Sequence, residues 1–74
     1  MCNSTYTSSV ATIIKQVNQL KAIMQTNHTK LEQLAVQTRH DEWNKTEAIA
    51  EIYALTQETL QAAQKLKDAL TSYE

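Results

Sequence analysis

The sequence predicts an all-α fold, an antiparallel hairpin of two long helices with coiled-coil-like packing, completed by self-association or by a partner. Three observations predict it. The 74 residues include no Gly and no Pro, the residues that most often break helices or supply tight turns. Apolar residues recur every three or four positions over residues 10–36 and again over residues 48–73, which is the spacing of a helix face. Between these stretches lies Gln-Thr-Arg-His-Asp-Glu-Trp, residues 37–43, with a single apolar side chain. That is the natural place for a turn.

Residues 1–9 are small and polar. Ser, Thr and Asn compete for backbone hydrogen bonds, so this stretch reads as a flexible N-terminal arm, with Ser8 or Ser9 as the cap of the first helix. That helix is predicted over residues 10–38. Its apolar seam runs Val10, Ile13, Val17, Leu20, Met24, Leu31 and Leu34, with Asn27 as the one polar member. A buried Asn in such a seam fixes register; a partly exposed Asn would mark a local irregularity instead. The weak point is residues 25–29 (Gln-Thr-Asn-His-Thr), where Thr29 and Glu32 fit a capping box. The helix is expected to continue through it, because the heptad phase is the same on both sides of Asn27.

The turn is predicted over residues 39–42, with Asp41 capping the second helix. A single unbroken helix would place Thr38, Asp41 and Lys45 consecutively in the seam, and three polar seam positions in a row disfavour it. The second helix is predicted over residues 43–72. Ala48, Ile49, Ile52, Tyr53, Leu55, Leu60, Ala62, Ala63, Leu66, Ala69, Leu70 and Tyr73 cover about half its circumference, more than a two-helix seam uses. Hence the expectation that the hairpin dimerises or docks on another protein. The residues expected to carry the contact are the first-helix seam together with Trp43, Ile49, Ile52, Tyr53, Leu60, Leu66 and Leu70.

Composition narrows the function. A chain this short has a marginal core, and its single cysteine, Cys2, forms no intrachain disulfide. A net charge of -1 offers no basic patch for nucleic acid. The lack of Gly excludes Gly-rich phosphate loops. No apolar run approaches the roughly 18 residues of a membrane span. The polar N-terminus does not read as a signal peptide, so a cytoplasmic location is expected.

Few residues are candidates for chemistry. His28 and His40 are expected to be solvated rather than metal-binding. Glu47 and Glu51, like Asp41 and Lys45, stand one helical turn apart and read as a solvated helix face. No nucleophile-base arrangement accompanies them, so the protein is expected not to be an enzyme, with no catalytic residue, cofactor, metal or small-molecule substrate. Cys2 reads as an inert thiol of the arm. Trp43, isolated in polar sequence, is either a plug over the hairpin end or a partner hot spot. Asn3, Asn27 and Asn44 begin Asn-x-Ser/Thr triplets; these would be glycan acceptors in a secreted protein, and a glycan on Asn27 would conflict with its seam position.

Two family resemblances attach to these residues. Trp43 at the start of the second helix, followed by Glu51 and Ile52, and Leu20, Met24 and Leu31 in the first, resemble the needle-subunit co-chaperones of bacterial type III secretion. Those are helical hairpins of about this length. The chain departs from them in having no Gly in the turn and Ala50 where a larger aliphatic is common. The resemblance implies a cytoplasmic protein that pairs with a helical-repeat chaperone to keep a needle subunit unpolymerised. The Gln/Asn/Thr-rich first repeat, the Trp43-led second repeat and the glycan triplets are also similar to the heptad-repeat core of class I viral fusion proteins, though almost no loop separates the repeats here. That resemblance implies an extracellular trimer of hairpins.

The function expected is therefore that of a small non-enzymatic protein-binding module, an adaptor or co-chaperone that buries its apolar stripe against a helical partner, with type III secretion as one setting. The alternatives are the viral fusion core and a homodimeric four-helix bundle. A buried Leu contributes about 2 kcal/mol, so Leu20→Asp or Leu66→Asp is expected to abolish folding or assembly. Circular dichroism and solution mass check this; an unchanged helical, associated variant would overturn the seam assignment.

Overall fold

A computed structural model describes residues 2–73, with side chains from Ser9 onward. It is an all-α hairpin of two helices, α1 (Cys2–Arg39) and α2 (Lys45–Ser72). At 1.5 Å per residue the 38 residues of α1 span about 57 Å, and the molecule is a rod of 60 × 16 × 11 Å.

Helix α1 begins earlier than the sequence predicts. The backbone from Cys2 is helical, so the expected arm over residues 1–9 is corrected to helix from residue 2. Adding residues to an existing helix end requires no new nucleus, and no Gly or Pro opposes it. The helix also runs unbroken through residues 25–29, as the heptad phase predicts. Thr29 does not cap there. Its hydroxyl donates back to the Gln25 carbonyl at 3.2 Å, and Thr38, Thr56 and Thr71 bond the carbonyls of Leu34, Ile52 and Lys67 in the same way. These i to i−4 bonds satisfy the hydroxyls inside the helix.

The connection, residues 40–44, is one residue longer than expected and differently capped. Asp41 has φ of 59°, the left-handed conformation that usually ends a helix at Gly. Two hydrogen bonds close this end of α1: Asp41 N donates to Thr38 O at 3.1 Å, and Glu42 N donates to Gln37 O at 2.8 Å. They are the paired bonds of a left-handed C-cap. In a chain without Gly this place falls to a residue whose short polar side chain tolerates the conformation. Asp41 therefore caps the end of α1, not the start of α2 as its sequence position suggested. The N-cap of α2 is Asn44, whose Oδ1 accepts from Glu47 N at 3.0 Å. The Glu47 carboxylate sits in the first turn, where the helix dipole favours it.

The turn folds α2 back along α1. Asn27 meets Thr59, Gln19 and Ile23 share a hollow with Ala62, and Ser9 and Gln16 share one with Ala69 and Ser72. Partners thus progress in opposite directions, as an antiparallel pair requires. Along α1 the partly covered positions are Ser9 and Val10 at its start, then Ile13, Gln16, Leu20, Ile23, Lys30 and Leu34, with Asn27 buried among them. Along α2 they include Ala48, Leu55, Thr59, Leu66, Ala69 and Tyr73, with Ala62 buried; Ile52 stands at the same spacing, at the margin of cover. This first seam is thin: no side chain among the described residues is fully buried. Gln16 even places Oε1 in it with no hydrogen-bond partner.

Because Asp41 occupies a left-handed conformation that disfavours a Cβ, Asp41→Gly is expected to stabilise the hairpin by about 1 kcal/mol. A rise in thermal midpoint would show this. A fall would mean that the Asp41 side chain contributes more to the cap than its backbone strain removes.

Candidate interaction face

The seam predicted from sequence divides into two in the structure. Ile13, Leu20 and Leu34 do face α2, as does Leu66 from the other side. Val17, Met24 and Leu31 do not: they are 38, 57 and 46 % exposed. The positions that face α2 in their place are Gln16, Ile23 and Lys30, each one residue earlier. Lys30 fits because its aliphatic stem lines the seam while its ammonium reaches solvent. The error has a simple cause. A heptad step of three or four residues leaves a choice at every second position: Val17 and Leu31 are more apolar than Gln16 and Lys30, whereas Met24 is no more apolar than Ile23.

The displaced residues form a second seam. On α1 it comprises Ile14, Val17, Met24, Leu31 and Ala35, with Lys21 and His28 at the intervening positions. Each stands one residue after a member of the first seam. On α2 the same one-residue shift from Ala48, Ile52, Leu55, Thr59, Ala62, Leu66 and Ala69 yields Ile49, Tyr53, Thr56, Leu60, Ala63, Lys67 and Leu70. Ile49, Tyr53, Leu60 and Leu70 are 60, 66, 53 and 54 % exposed. Val10 lies at the start of the α1 stripe and is half-covered.

Both second seams lie on one side of the hairpin. One residue advances about 100° around a helix. In an antiparallel pair the same advance on each helix turns both side chains toward the same side. The opposite shift confirms the handedness: Gln19 and Ala22 of α1 share a hollow with Glu58, Gln61 and Lys65 of α2, and all of these stand one residue before first-seam positions. The two broad sides of the rod therefore differ. One carries Glu47, Glu51, Glu58 and Asp68 with Lys15 and Lys65; the other carries the aliphatic stripe, Tyr53, Lys21 and Lys67, with no carboxylate at a seam position. His28 on that side is paired through Nε2 with the Glu32 carboxylate one turn on, an exposed contact that contributes little by itself.

Trp43 lies in the connection, beside Leu34, Gln37, Asn44, Glu47, Ala48 and Glu51, and is 42 % exposed. It covers the closed end of the hairpin and is not part of the apolar side with Tyr53 and Leu60. Asn27 is in the first seam at 9 % exposure and donates from Nδ2 to Thr59 Oγ1 at 2.7 Å. Thr59 donates in turn to Leu55 O at 2.7 Å. The buried-Asn reading holds. A glycan on Asn27 would modify Nδ2, the donor of this bond, inside the seam and would break it. The side chains of Cys2 and of the Asn3 triplet lie outside the described residues. Sequence reasoning missed Gln16, Ile23, Lys30 and Thr59 in the first seam. Both alignments keep the 3-4 step through Asn27, so spacing alone does not separate them.

Among the described residues no helix is long and apolar enough to cross a membrane, and no cluster of His, Cys, Asp and Glu is placed to hold a metal ion. No family model, curated protein or solved structure matches this chain.

Asn27→Ala removes one end of the bond between the helices and leaves a gap in the seam. It is expected to destabilise the hairpin by about 1–3 kcal/mol, read as a lower denaturation midpoint. Asn27→Asp should be worse, since a carboxylate has no N–H to donate to Thr59 and brings a partly buried charge. A variant as stable as the parent would remove Asn27 from the first seam.

Proposed function

We propose that this chain is a small protein-binding module of the adaptor or co-chaperone kind, and that it works by burying its second seam against a helical partner. The observation that carries the reading is the length of that seam on both helices. Large apolar side chains recur at heptad spacing on both helices and on the same side, and they face solvent. Monomeric proteins rarely leave so long an apolar stripe uncovered, and such stripes mark interaction surfaces. The spacing selects the partner class: a helix laid along the stripe reads it through residues three and four apart.

In its type III secretion form the reading has this side docked on a helical-repeat chaperone. The tight connection over residues 40–44 supports a self-contained hairpin over a fusion core, whose repeats are separated by a long loop.

The test compares capture by three forms of the chain from its native extract. Leu60→Glu places a charge in the second seam, and Gln61→Glu places the same charge on the carboxylate-bearing side. The partner is expected to be retained by the parent and by Gln61→Glu and lost by Leu60→Glu. The purified partner is expected to raise the parent's melting temperature, as linkage requires. Equal capture by all three forms would overturn the reading.

A further inference from the structure

The second seam decides how many helices its partner must have. Rotated one residue, or about 100°, from the first, it meets the first seam at nearly a right angle on both helices. A helix with two neighbours at right angles sits at the corner of a square array, the cross-section of a four-helix bundle. One docked helix would fill the groove between α1 and α2 and contact Val17, Met24, Leu31 and Leu70. It would leave Ile14, Tyr53 and Leu60 on the outer edges wet. Only a two-helix partner of matching width covers both edges.

Resting on the protein-binding reading above, we infer that this partner is a second copy of the chain. Two hairpins would pack apolar side to apolar side as an antiparallel four-helix bundle. The surface area supports it. A compact monomer of 8.4 kDa exposes about 4,600 Å², whereas the hairpin exposes 6039 Å². Packed as one compact particle of twice the chain mass, two copies would expose about 7,700 Å² and so bury about 4,400 Å² between them, inside the range of about 2,000–5,000 Å² for obligate dimers.

Charge sets the direction. With Asn27 level with Thr59, Lys21 and Lys67 lie at nearly the same height on opposite edges of the face. Hairpins stacked with their turns together would lay α1 of one copy over α2 of the other and bring these lysines against each other. Hairpins stacked with turns at opposite ends lay α1 over α1 and α2 over α2. The seams then reverse about Met24 and Leu60. Val17 meets Leu31 of the second copy, Ile49 meets Leu70, and the Lys67 ammonium meets the Tyr53 ring, a favourable pairing. Leu60 lies against its own counterpart.

Light scattering on the full chain is expected to show twice the 8.4 kDa chain mass, with a melting temperature that rises with concentration. Leu60→Glu is expected to weaken the dimer by about a hundredfold or more, and Gln61→Glu to leave it unchanged. Should Leu60→Glu fail to fold alone, cross-linking decides. In a Cys2→Ser background, Leu60→Cys is expected to link two chains with a short bis-maleimide, and Gln61→Cys is not. A monomer, a trimer, or a dimer linked through Gln61→Cys and not Leu60→Cys overturns the inference. The two proposals fail separately. A monomer whose partner capture is lost in Leu60→Glu keeps the binding reading and removes the second copy. A dimer through the carboxylate-bearing side, with capture indifferent to Leu60→Glu, removes both.

Discussion

The bond from Asn27 Nδ2 to Thr59 Oγ1 sets more than the register of the helix pair. Each helix carries two 3-4 stripes one residue apart, and they are nearly equal in apolar content. A rotation of about 100° would exchange them. The polar pair breaks that near-degeneracy. Asn27 is buried and needs partners, and Thr59 offers an acceptor at the facing position while donating onward to Leu55 O. Rotated, Asn27 would lose that acceptor and His28 would enter the pair in its place. A single polar residue that specifies alignment at some expense of stability is a familiar device of helical coils.

The rest of the architecture depends on that alignment. With Asn27 inward, Ala48, Ala62 and Ala69 line the α2 side of the first seam, and their small side chains let the backbones approach. The seam so formed is narrow and polar in places, including the partnerless Gln16 Oε1. About as many large apolar side chains stay outside it as enter it. The hairpin therefore holds its shape through local means to an unusual degree: long unbroken helices, Thr side chains that bond their own helix, and a tightly capped turn. The apolar capacity withheld from its own core is available to a partner.

Segregation of charge fits this division of labour. The broad side bearing Glu47, Glu51, Glu58 and Asp68 is suited to water. The apolar side keeps Lys21, Lys67 and His28, the last paired with Glu32 one turn on; the long stems and the ring cover apolar surface while their polar tips reach solvent. The lysines then restrict how a second helical layer is laid on that side, which is where electrostatics acts most effectively, on specificity more than on affinity.

The all-α hairpin, the unbroken first helix and the site of the turn were legible in the sequence, because each rests on local physics: no Gly or Pro, a heptad phase carried through Asn27, and a polar gap before Trp43. The exposed members of the face, Val17, Met24, Leu31, Ile49, Tyr53, Leu60 and Leu70, were legible as apolar and important, but not as a separate side. Two stripes one residue apart merge into one broad face on any single helix. Only packing against α2 separates them, since burial belongs to the pair and not to either helix. The roles of Asp41 and Asn44 were likewise decided by the folded turn: a left-handed residue was required at the end of α1, and where the chain reversed determined which polar side chain met which free N–H. Sequence thus determined which helices form and roughly where they end. Tertiary structure decided which face each helix spends on the other and which it leaves outward.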